Sequence, residues 1–286
     1  MSNNLGTPVL NELLNLADSN WVLGHWYLVC ILNSRGLQDA SAMSAMAQDS
    51  LGHTRATLNF LEKEYGYDEM SLEFNRTAEQ VHSIEVLDRA PQNWADFVVS
   101  LTLAEHAIWE MMSTFEKSSI PSIGGMLEAF GQENQFHRMN MDGWIQIFSE
   151  EEEQDADVAA IERLAKALAW FGTKEAADAD PLLASGVRTH STWEARNRFL
   201  AAVTKSLSLD DSTVSAAEDL ADPSACDNDR RRPAGANLPA ELWEKMVPTT
   251  EEAKLARRPL AVSITDELDL HDRPNSKNWD FEPIPI

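Results

Sequence analysis

A chain of 286 residues with 43% hydrophobic content can bury one sizeable core, as one large domain or as a domain with an appendage. Its 47 acidic against 23 basic residues leave a formal net charge of −24, which excludes nucleic acid as a natural partner, because the phosphate backbone would be repelled. No apolar run reaches the roughly 18 residues of a membrane span, the N-terminus lacks the basic start and apolar core of a secretory signal, and Cys30 and Cys226 lie far apart in unlike surroundings, which fits a reducing cytoplasm.

Taken in order, residues 9–32 read as a first helix with Leu10, Leu14, Trp21, Leu28 and Leu32 in its stripe and His25 within it. Trp26 follows His25, so it is turned about 100° from that stripe and needs a second cover, from a tail or from a partner. Asn33 to Gly36 is a stop and a turn. Residues 37–64 read as a second helix with a stripe through Met43, Ala47, Leu51, Leu58 and Leu61, and a flanking row carrying Ser50 and His53. Residues 68–92 read as a long connection holding a short helix. Residues 94–116 form a third helix, with Glu105 in the stripe between Leu101 and Ile108. Pro121 suits the first turn of a fourth helix, expected to run on to Glu151, with Glu133 and His137 filling a gap between Phe130 and Met141. The acidic run from Glu150 is a solvated helix end or the start of the next helix. Residues 158–171 and 192–207 read as a fifth and a sixth helix. After Leu209 the composition turns to Asp, Ser, Pro and Arg; 241–245 is a short helix, and 257–286 reads as an extended tail over the bundle or a partner. The expected division is a helical bundle over 1–207 and a largely irregular extension over 208–286. No strand alternation stands out, so the fold class is all-α.

His25, His53, Glu105 and His137 thus sit on four different long helices in or beside rows that should face the core. Buried charge is costly unless it is paired or binds metal. Four-helix bundles of the ferritin-like kind build two-metal sites from carboxylates on four helices, two of them through Glu-x-x-His. Here the positions three before the histidines are Ser50 and Asn134, so both motif glutamates are missing. Asp49 and Glu133 stand four before each histidine, one residue off, and cannot inherit the same place on the helix. Two readings stay open: histidines and a carboxylate bonded to one another, with Glu105 pairing a histidine such as His53 or an arginine such as Arg138 or Arg55; or an altered metal site from His25, His53, Glu105 and His137.

The segments WVLGHWY around His25, AQDSLGHTR around His53, NWADFVVSLTLAEHA around Glu105 and ENQFHRMNMDGW around His137 resemble the phenylacetate-catabolism A/C family, the ferritin-like subunits of phenylacetyl-CoA epoxidase. The resemblance covers residues 13–150 and implies a ferritin-like four-helix bundle, here with additional C-terminal helices and a tail. The family's A subunit carries both Glu-x-x-His motifs and a di-iron centre; its C subunit keeps the fold without a working metal set. Ser50 and Asn134 depart from A, whereas Gly24-His25, Leu51-Gly52 with Arg55, and the spacing of Glu133, Phe136 and His137 ahead of Gly143-Trp144 agree with C. His53 and Glu105 depart from C. The resemblance therefore implies a cytoplasmic, non-catalytic C-like subunit of a multicomponent ring 1,2-epoxidase, with no cofactor of its own, an A-like di-iron chain as partner and a reductase reached through the complex. The alternatives are an oxygenase with a rebuilt iron site of its own, and a free-standing scaffold. The acidic surface is either simply solvated or a face that docks a basic partner subunit.

Overall fold

The computed structural model of the chain describes residues 6–247. The expected tail over 257–286 lies outside the described residues. The chain divides into two compact units, Met1–Trp243 and Glu244–Ile286, and the architecture below is that of the first. It is all-α, with no strand among the described residues and one isolated bridge, between Cys226 and Pro233. No helix among those residues is long and apolar enough to cross a membrane.

Two helices form the centre. In α1 (Gly6–Cys30) every residue from 12 to 27 is buried, and in α4 (Trp94–Ser113) every residue from 95 to 108. A helix buried on all sides needs neighbours all round. For α1 these are α2 (Leu37–Tyr65), which returns along it, and the connection after α2; for α4 they are α1, α5 (Pro121–Ile145), α6 (Glu150–Ala169) and α9 (Thr192–Ser206). α2 also touches α5, so α1, α2, α4 and α5 make a four-helix bundle consistent with a ferritin-like fold. α2 ends where Gly66 takes φ 76° and its N–H reaches the carbonyl of Glu62.

The fourth helix does not continue to Glu151. It stops at Ile145, and Ser149 opens α6 through a reciprocal capping box with Glu152. The acidic run is the first turn of that helix, where carboxylates meet the positive end of the peptide dipoles. α10 (Asp211–Leu220) lies against α6. The shorter α3 (Glu69–Phe74), α7 (Lys174–Asp178) and α8 (Pro181–Ala184) complete the set, and α11 (Ala240–Met246) runs across the division at Trp243.

The connection over 68–92 is part of the core. Val81, Ile84, Val86 and Leu87 are buried, and Trp26 Nε1 donates to the Leu87 carbonyl at 2.7 Å. The second cover that Trp26 requires is supplied by this connection. The same segment is tied down by ion pairs. Arg76 grips Asp18 of α1 at 2.5 and 2.6 Å, and Arg163 of α6 grips Asp96 of α4 at 2.9 Å through two nitrogens while donating to the Val86 carbonyl.

Residues 208–243 stay with this unit. A tight turn at 227–233 presents three consecutive arginines inward. Arg230 donates to the Val81 carbonyl, Arg231 to Glu12 of α1, and Arg232 to Asp88 and to the Ser83 carbonyl. Arg188 meets the same Glu12 from the other side.

Candidate functional site

Glu105 lies at the middle of α4, 1% exposed. Two other helices send groups to it. Tyr27 of α1 donates its hydroxyl to Oε1 at 2.7 Å, His137 of α5 donates from Nδ1 to the same oxygen at 2.8 Å, and Asn134 of α5 donates its amide to Oε2. Asn134 and His137 reach one carboxylate together because residues three apart share a helix face.

Burial alone would push Glu105 up, but the imidazolium of His137 and the hydrogen bonds from His137 and Tyr27 hold it below its ordinary value. Burial would likewise push His137 down; the charges and hydrogen bonds of Glu105 and Asp49 overcome this and raise it to about 9. Burial and the neighbouring carboxylate push the Tyr27 phenol well above its ordinary value, so it stays a donor. The centre of the bundle is therefore a closed ion pair, Glu105 carboxylate to His137 imidazolium, with two neutral donors completing the carboxylate.

The two carboxylates that stand four residues before the histidines cross between helices. Asp49 of α2 accepts from Nε2 of His137 on α5 at 3.2 Å, while Glu133 of α5 accepts from Nε2 of His53 on α2 at 2.6 Å. Asp49 and Glu133 are 40% and 53% exposed at their side chains, so this crossed pair forms the outer edge of the cluster. His53 itself is buried and stacked on Phe130 at 4.2 Å. Burial outweighs the pull of Glu133 and keeps His53 below its ordinary value. Its contact is thus a hydrogen bond from a neutral ring, whereas that of His137 is ionic.

Of the four predicted positions, Glu105 and His137 meet directly. His53 is tied to Glu133, so Glu105 has His137 as its partner instead of His53. Arg138 stacks on Trp109 at 4.5 Å, and Arg55 stands outside, 75% exposed at its side chain and 3.9 Å from Glu69, so neither arginine pairs with Glu105. His25 is buried with Nδ1 at 2.8 Å from the Trp21 carbonyl, one helical turn back. Tyr27 is the group on α1 that faces Glu105. It stands two residues after His25, about 200° round the helix. Because α1 is buried on every side, its apolar pattern does not distinguish these faces, and no spacing signal in the sequence marks Tyr27.

The donor set does not fit a two-metal centre. Such a centre needs bridging carboxylates in addition to imidazoles. At the two positions where the motif has glutamate, Ser50 Oγ donates to the carbonyl of Met46 at 2.8 Å, and Asn134 donates to Glu105. Both oxygens of Glu105 are engaged by protonated donors, and among the described residues no group of three or more His, Cys, Asp and Glu side chains is disposed to hold a metal ion.

A comparison with curated proteins finds no match. The match to the family described as phenylacetic acid catabolic protein runs over residues 1–223 of the 286, so the chain belongs to that family.

Proposed function

We propose that the chain is a non-catalytic, C-like subunit of a multicomponent oxygenase of phenylacetate catabolism, acting on a phenylacetyl-CoA type of ring substrate. Its partner is an A-like di-iron chain that carries out the oxygen chemistry, with a reductase reached through the complex. Family membership supports the pathway. The observation that carries the subunit assignment is the Glu105–His137 ion pair, which occupies the centre of the bundle with Asn134 and Ser50 where bridging glutamates would be needed. In this reading the cluster is structural: it satisfies a buried carboxylate and fixes the register of α1, α4 and α5 without a cofactor.

The test is elemental analysis of the purified chain, together with co-expression with an A-like member of the family. Well under one iron per chain and a stable heteromer on size-exclusion chromatography are expected. Close to two irons per chain with an oxo-bridged absorption band would overturn the assignment, and one tightly held metal per chain would favour an altered site from His25, His53, Glu105 and His137. A metal-free chain that ignores the A-like partner would point to a free-standing scaffold.

A further inference from the structure

A cleft of about 810 Å³ opens between α4, α5, α6 and the end of α9. Its wall includes His106, which follows Glu105 and is therefore turned about 100° away from the ion pair. His106 is 7% exposed, and neither ring nitrogen has a hydrogen-bond partner among the described residues. The contrast with His53 and His137, bonded to Glu133 and to Glu105 and Asp49, is plain. A buried polar group left unpaired is costly, and native structures rarely leave one so. Surrounded by the protein, the ring stays neutral and offers one N–H donor and one acceptor.

The rest of the cleft narrows the kind of molecule that would supply the missing partner. Val99, Ile145 and Phe148 give the wall an apolar part, beside the polar side chains of Gln146, Ser206 and Ser208. Glu153 and Asp157 stand exposed, Asp142 is half-buried, accepts from Ser206 and acts electrostatically on His106, and Lys205 is the cation among the lining residues. That balance repels an anion. The volume lies within the range of small-molecule sites, which combine apolar walls with a few placed polar groups.

We propose that this cleft binds a small uncharged molecule with an apolar body and a hydroxyl group, the hydroxyl bonding to a ring nitrogen of His106. A hydroxyl both donates and accepts, so it suits either tautomer of the ring. A protonated amine only donates, so it would suit only the acceptor nitrogen of His106.

The proposal is tested on the full chain with hexan-1-ol as the probe, and with hexanoate and hexylamine as charged counterparts of the same length. Binding is followed by calorimetry and by the ¹⁵N shifts of the His106 ring. Saturable binding of the alcohol is expected, with a shift at His106, at least tenfold weaker binding of hexanoate, and at least tenfold weaker binding of the alcohol to His106→Leu. Ala202→Phe, which fills the cleft from α9 and keeps the His106 side chain, is expected to abolish binding, and it carries the test if His106→Leu fails to fold. No saturable binding would overturn the proposal, as would equal binding to His106→Leu, or hexylamine binding where hexan-1-ol does not. Ordered waters on His106 that the alcohol fails to displace would also overturn it.

Discussion

Glu105 is surrounded by donors, and His137 is the one among its hydrogen-bond partners that brings charge. Removing one member of a buried pair leaves the other uncompensated, at a cost of about 3–5 kcal/mol. His137→Gln is therefore expected to lose about that much in urea unfolding. Glu105→Gln combined with His137→Gln should be less damaging than the sum of the two, by about 1–3 kcal/mol; strict additivity would mean the pair is not coupled. The pH dependence has a definite sign. His137 is raised from 6.5 to about 9, so its contribution is complete below 6.5 and disappears as pH rises through about 9. Glu105 is lowered from 4.5, so its contribution is present above that value and fades as pH falls further. The stability gap between the native chain and His137→Gln should accordingly be wider at about pH 6 than at about pH 10; a gap that stays constant would deny the imidazolium its part. Helical spacing made Glu105 and His137 legible as core groups. The crossed pairs of Asp49 with His137 and of Glu133 with His53 were not, because they depend on the register between α2 and α5, which no local pattern encodes. His25 read as inward and is buried, with its Nδ1 at the Trp21 carbonyl of its own helix.

The packing of α5 on α4 turns on Gly131. A Cβ added there would lie 2.1 Å from Cζ3 of Trp109, whose ring is held from another side by the Arg138 guanidinium. Alanine is favoured over glycine within a helix by about 1 kcal/mol, but that contact cannot be accommodated unless the ring moves, and overpacking costs about 1–3 kcal/mol. Gly131→Ala should lower the melting temperature. The sign should reverse in a Trp109→Leu background, where the added methyl meets less and the helical preference remains. If Gly131→Ala is harmful in both backgrounds, the damage lies elsewhere in α5. At this scale most of the bundle was readable: α1, α2, α4, α5 and α9 follow from their apolar periods. The break between α5 and α6 was missed although the Ser149-x-x-Glu152 pattern marked it, because Phe148 prolongs the apolar row of α5 by one step. α10 was missed because Val214, Ala216 and Ala217 are too few and too small to stand out in an acidic stretch.

Across the whole molecule, segments far apart in the sequence are joined by buried arginines. Arg232 covers Asp88, which burial raises to about 6 despite that partner, and Arg231 reaches Glu12. Arg232→Ala should cost about 3–5 kcal/mol, since it strands a buried carboxylate. A chain ended at residue 225 keeps all four long helices, yet it should lose cooperative unfolding, as followed by circular dichroism; a sharp transition near that of the full chain would show that the arginine turn is dispensable. Composition pointed to an irregular extension here because ion pairs between distant segments leave no periodic trace. The turn also imposes a schedule on synthesis. Glu12 and Arg231 are 219 residues apart. At about 5–20 residues per second, roughly 11 to 44 seconds separate the appearance of Glu12 from that of Arg231. Throughout that interval a helix destined for burial on all sides is incompletely covered and carries an acidic group lacking at least one of its two arginines, Arg188 and Arg231. The first helix thus faces the longest exposure to aggregation and to chaperones, and its cover on this side closes only after residue 231 has been made.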